Sequence, residues 1–253
     1  MTNLERPGIL KGFWKLTWVE IKIFLREPMG VISTFGIPVA IFIFLGRGMG
    51  AVEPAPSGVE APPFNIAILA GLIIAVSSVI SLVAIISIYR EGGILKRLRA
   101  TPLSPITILG AQVFIKLLFS AITLGLLILA GRQLFPGALD VPLISFSLAL
   151  LLSTLSVLSL GFIIASVVPT ARFAQPIAAG VLYPMMALSG LFFPLDALNA
   201  PLRILTGLLP MSHAVTLMDS IWSGAGWDWV SVAALVTIFG VCTALSSRVF
   251  RWE

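Results

Sequence analysis

Charge is scarce in this chain, and so are the residue types that most chemistry requires. Only 11% of its 253 residues are Asp, Glu, Lys or Arg, and it carries one cysteine and one histidine. A lone cysteine, Cys242, excludes an intrachain disulfide. With one histidine and one cysteine there is no zinc constellation, and neither a catalytic cluster nor a metal site is expected. The dipeptide Gly-Lys occurs nowhere, so no phosphate-binding P-loop can form within the chain. No cleavable signal peptide is expected either, because the first 28 residues hold eight charges and no clean apolar core. There is no convincing internal repeat.

What fills the chain instead is apolar side chain: 58% of residues are hydrophobic and the mean hydropathy is +1.07. That is more apolar surface than one compact soluble core can bury. A bilayer core of roughly 30 Å needs about 20 apolar residues per helix. Six stretches qualify: 29–45, 64–89, 106–129, 143–168, 175–193 and 229–247. The runs are continuous and lack the alternation of an outer-membrane barrel, so the expectation is an all-α integral membrane protein of six spans in a single domain, 1–253.

The sixteen Lys and Arg set the orientation. With the N-terminus cytoplasmic, twelve fall on inner segments, thirteen with Lys116, expected to snorkel inward from the third span, and Arg47, Arg132 and Arg203 fall outside. Positive-inside bias therefore puts both termini in the cytoplasm. The net charge of +5 is read as topology, and no nucleic-acid partner is expected.

Residues 10–27 are too charged to span yet rich in Trp, Phe and Ile. Lys11, Lys15, Lys22 and Arg26 fall within about 60° on a helical wheel. This predicts an interfacial helix along the inner leaflet, its basic stripe on lipid headgroups and Trp14 and Trp18 near the boundary. Glu20 lies almost opposite the stripe and calls for a partner within the bundle. At the other end, 194–228 holds two short apolar pieces separated by Pro210. One continuous span there would bury Arg203, His213 and Asp219 at high cost. Two short helices dipping into the outer leaflet are preferred to a seventh span, and Trp222, Trp227 and Trp229 read as an aromatic belt.

The stretch YREGGILKRLRATPLSP (89–105) gathers Arg90, Glu91, Lys96, Arg97 and Arg99 between two nearly chargeless runs. On a helical wheel Ile94, Leu95 and Leu98 share one side and Lys96, Arg97 and Arg99 the other. The pattern predicts a short amphipathic helix over 91–101 with Glu91 at its N-terminal end, stopped by Thr101-Pro102, before Ser104-Pro105 opens the third span. A helix of about two turns is not stable alone. Either lipid headgroups hold its basic residues, or its apolar side plugs a groove in a cytoplasmic partner.

The run REGGILKRLRATPLSPITILGAQ resembles the signature loop of the membrane subunits of type-2 ATP-binding cassette exporters. FFPLDALNAPLRILTGLLPMSHAVTLMDSIWSG resembles that family's ending, and together with the N-terminal helix and six spans the resemblance covers essentially the whole chain. It implies that 10–27 is an elbow helix and that 91–101 is the coupling helix, with Glu91, Ile94, Leu95, Lys96, Arg97, Leu98 and Arg99 meeting a nucleotide-binding ATPase subunit. It also implies a dimer of permease subunits, two copies or two similar chains, in the cell inner (plasma) membrane. ATP and Mg would then be bound by the partner ATPase, and no cofactor by this chain. The substrate path, lined in the family by the first, second and fifth spans, points to Phe35, Ser77, Ser78, Ser81, Tyr183, Met185, Met186 and Phe192, for each of which ordinary span packing is the competing reading. The implied function is outward movement of a drug, a lipid or a lipid-linked glycan. A secondary transporter or channel is the alternative, disfavoured because only Lys116 is ionisable within a span. A membrane-embedded enzyme comes third, since no reactive side chains converge.

Overall fold

A computed structural model describes residues 9–50, 66–93, 105–134, 142–168, 170–192 and 199–249. Among the described residues every regular element is helical, which bears out the all-α expectation.

α1 (Ile9–Leu25) ends in a turn at Arg26, and Pro28 opens α2 (Pro28–Val31). Proline suits a first helical position because its missing N–H has no intrahelical acceptor there. The chain bends by 96° between α1 and the segment that follows. α2 runs without interruption through a π turn, Ile32–Gly36, into α3 (Ile37–Gly50). Then come α4 (Ile66–Glu91), α5 (Pro105–Leu134), α6 (Leu143–Val167) and α7 (Ala171–Ala187). Two short helices, α8 (Ala200–Thr206) and α9 (Pro210–Trp222), precede α10 (Trp229–Val249).

α4, α5, α6 and α10 are each long and apolar enough to cross a membrane, and the two bent pairs, α1 with α2–α3 and α8 with α9, raise the count to as many as six. The expected fifth span is displaced. α7 starts four residues earlier and stops at Ala187, giving a helix of about 25 Å, short of a roughly 30 Å hydrocarbon core. Gly190, at φ +90°, follows the helix in a conformation that β-carbon-bearing residues avoid. α8 and α9 lie at 78° to one another, so they do not form one straight span.

α4 is the hub. It packs against α3, α5, α6 and α7 and buries apolar side chains around most of its circumference, as a helix surrounded by helices must. It packs tightly on α6 at Gly161, where an added Cβ would sit 2.9 Å from Val79 Cγ1. Small residues at such crossings let backbones come together. Among the described residues α10 rests chiefly on α6 and α9, helped by a hydrogen bond of 3.0 Å from Ser156 Oγ to the Leu235 carbonyl. Asp228 caps its first turn, accepting from Ser231 Oγ at 2.5 Å and from the Ser231 and Val230 amides at 3.3 Å. Those bonds favour the charged carboxylate and hold Asp228 below the usual carboxylate range.

Candidate coupling site at the end of α4

α4 finishes with Tyr89-Arg90-Glu91 and then Gly92-Gly93. Gly93, at φ +65°, takes the left-handed conformation that commonly closes a helix. Three successive helical residues project about 100° apart and so face three directions. In this protein each direction is met by a different element.

Tyr89 donates its hydroxyl hydrogen bond to Glu20 Oε1 on α1. Glu20 is buried, on the face of α1 turned away from its lysines, and Tyr89 is the bundle partner its position called for. Aromatic packing strengthens the same attachment. Phe13 and Trp14 meet Phe114 of α5 edge-on at 5.8 and 5.5 Å, while Phe24 lies 4.3 Å from Phe119 of α5 and 5.8 Å from Phe35 of the π turn. Such ring pairs contribute about 0.5–1.5 kcal/mol each beyond their burial.

Arg90 reaches the C-terminus of α6, donating from Nη1 to the Ala165 and Ser166 carbonyls at 3.0 and 3.4 Å and from Nη2 to the Val168 carbonyl. The last carbonyls of a helix have no partner within it and carry its negative dipole end, so a guanidinium there satisfies both needs. Glu91 does the converse at the start of α7. Its Oε2 accepts from the Ala171 amide at 2.7 Å, while Thr170, the N-cap residue, makes no side-chain cap bond of its own. Its carboxylate thus caps a helix 80 residues further along, while the short helix expected over 91–101 lies mostly outside the described residues. One arginine and one glutamate, adjacent in sequence, fix both sides of the turn between α6 and α7.

The residues expected to couple, Ile94, Leu95, Lys96, Arg97, Leu98 and Arg99, lie outside the described residues. Of the elbow residues, Trp14, Lys15, Trp18, Lys22 and Arg26 are exposed on α1 and the turn after it, and Lys22 Nζ stands 5.3 Å over the Trp18 ring. The Lys11 side chain lies outside the described set.

The proposed pathway residues do not converge on one cavity. Ser78 and Ser81 sit in the α4–α5 seam, and Ser77 is half-buried on α4. Phe35 belongs to the aromatic cluster, Tyr183 is exposed on α7, and Met186 and Phe192 are half-buried. Met185 lines an apolar cavity of about 450 Å³ bounded by α6, α7, the α8–α9 turn and α10. Lys116 does not snorkel. It is 3% exposed, and its Nζ donates to Ser81 Oγ at 2.6 Å because α5 turns it into the bundle. Among the described residues no three His, Cys, Asp or Glu side chains are grouped to hold a metal ion.

A polytopic helical membrane protein emerges, with α1 bent away from the segment that follows it and tied to α4 and α5. The family model described as ABC-2 type transporter matches residues 11–222, and the chain belongs to that family. It is an ABC-type transporter permease, the membrane-spanning component of its system. No curated protein matches the chain.

Proposed function

We propose that this chain is the permease subunit of an ATP-driven exporter and that work enters it at the end of α4. The family as a whole operates with a separate ATPase subunit, and the chain's lack of any Gly-Lys dipeptide fits that division of labour. The observation that carries the reading is the Tyr89-Arg90-Glu91 arrangement. A push on the loop that follows reaches α1 through Glu20, the end of α6 through its carbonyls and the start of α7 through Ala171. Packed helices transmit such a displacement as a rigid body.

In this reading 91–101 docks on the ATPase, Ile94, Leu95 and Leu98 seat in its groove, and Lys96, Arg97 and Arg99 meet its acidic rim. The partner binds ATP and Mg. The basic excess puts this end, the elbow and both termini in the cytoplasm; the six spans in the inner membrane are then α2–α3, α4, α5, α6, α7 with the residues that follow it, and α10, and α8–α9 are re-entrant helices on the outer side. Lys15, Lys22 and Arg26 rest on anionic headgroups. Two permease subunits enclose the path for a hydrophobic or amphipathic substrate.

The test is ATP hydrolysis by the chain reconstituted in nanodiscs with the ABC ATPase subunit that co-purifies with it. Leu98→Asp is expected to dissociate the complex, and Glu91→Ala to leave it assembled but less responsive. A complex whose assembly and hydrolysis are indifferent to both changes contradicts the reading and favours a transporter or channel without an ATPase.

A further inference from the structure

α5 carries a stripe of polar side chains that its membrane role does not require. Gln112, Lys116, Ser120 and Thr123 recur at helical spacing within about 80° of arc, and all are at most 3% exposed. They face a matching stripe on α4. Ser78 Oγ and Ser120 Oγ are 3.0 Å apart and Lys116 Nζ is 2.6 Å from Ser81 Oγ, while the buried amide of Gln112 makes no hydrogen bond among the described residues. The two helices run antiparallel in this register. At one end the stripe meets Tyr89 and Glu20. At the other, Thr123 Oγ1 donates to the Phe119 carbonyl at 2.8 Å and to the Thr34 carbonyl of the π turn at 3.3 Å. Phe119 of the same helix clamps Phe35 of that turn at 5.5 Å.

An apolar seam would hold α4 and α5 together at least as well, because a buried charge is costly to desolvate. Hydrogen bonds add what apolar contact lacks, a single register. π turns are uncommon and recur at functional sites, and this one is gripped by the helix that carries the charge. We propose that Lys116 is a positioning residue: seated on Ser81, it holds α4 and α5 in one register, so that the end of α4 and the π turn of the first membrane segment move as one body. Its use in transport rests on the reading that work enters at the end of α4.

The experiment uses the full chain in lipid nanodiscs with Cys242→Ser and a spin label at Ser33→Cys, an exposed position of the π turn. Tyr89→Phe releases the end of α4 from Glu20. With the seam intact, this release is expected to change the ratio of mobile to immobile label about fivefold or more. With Lys116→Met the response is expected to fall below about twofold, and Lys116→Arg is expected to restore it. Ser81→Ala, which removes the lysine's acceptor and keeps the charge, is expected to behave as Lys116→Met and serves as the test should that variant not fold. A label that ignores Tyr89→Phe, or a response surviving both Lys116→Met and Ser81→Ala, overturns the proposal. No ATPase is present, so either result leaves the docking reading to stand or fall on the Leu98→Asp assay.

Discussion

α4 and α10 are both long, apolar and fit to cross a bilayer, yet 72% of the apolar window of α4 is buried inside the protein against 22% for α10. Hydrophobicity sends both helices into the membrane and does not say what they meet there. α4 meets helices on all sides, and its last three residues each engage another element. α10 exposes Val230, Val236, Val241 and Leu245 and is held along one side. A span that only anchors can present its surface to lipid. A span that transmits force needs fixed neighbours and directional bonds at its end.

The sharpest way to break this contrast is to enlarge a glycine in each helix environment. Gly161→Val drives a side chain into Val79 and Leu82 and is expected to cost about 2–3 kcal/mol. Gly240→Val on α10 meets nothing within 4 Å and should stay within about 0.5 kcal/mol. Reversible unfolding in bilayers or mild detergent reads both, and equal costs would mean that the hub and the periphery are packed alike. Arg90→Ala strips the α6 terminus of its cation and is expected to cost about 2 kcal/mol, with hydrogen exchange rising at the last turn of α6. Glu91→Ala should cost about 1 kcal/mol and raise exchange in the first turn of α7 while α6 stays protected. If the two variants loosen the same segment, the division of roles between Arg90 and Glu91 is wrong. At the attachment of α10, Ser156→Ala on α6 removes the bond to the Leu235 carbonyl for about 0.6 kcal/mol.

The smallest effect is one of pH. The folded carboxyl of Asp228 is held below its ordinary value, chiefly by Ser231 Oγ and further by the Ser231 and Val230 amides. A depressed carboxyl contributes stability above its unfolded value, and the contribution is lost as pH falls through the folded one. Acidification below the usual carboxylate range should therefore fray the start of α10, and Asp228→Asn should remove that dependence. Exchange at Val230 and Ser231 across an acid titration is the check.

Much of this fold was legible because hydropathy is a local property: four of the expected spans reappear as single helices long and apolar enough to cross, and the helix expected over 10–27 begins and ends within about two residues of those bounds. The bond from Ala171 to Glu91 was not legible, because the fold brings the two together across 80 residues. Glu20 called for a partner from its place opposite the basic stripe, while Tyr89 lay 69 residues away and out of reach of any periodicity argument. The polar stripe of α5 was present as Gln112, Lys116, Ser120 and Thr123 at helical spacing, masked by a reading that took Lys116 toward the membrane surface. The π turn has no signal of its own in the residue types of 32–36; only packing against Phe24, Phe119 and Thr123 distinguishes it.

The most direct test places a photoreactive amino acid at Leu98 in one protein and at Val230 in another, and identifies the crosslinked peptides by mass spectrometry after irradiation of native membranes. The account predicts that residue 98 captures a peptide from a P-loop ATPase and that residue 230, at the start of α10, captures none. Lipid alone at both positions, or the same ATPase at both, contradicts the claim that work enters this permease at the end of α4.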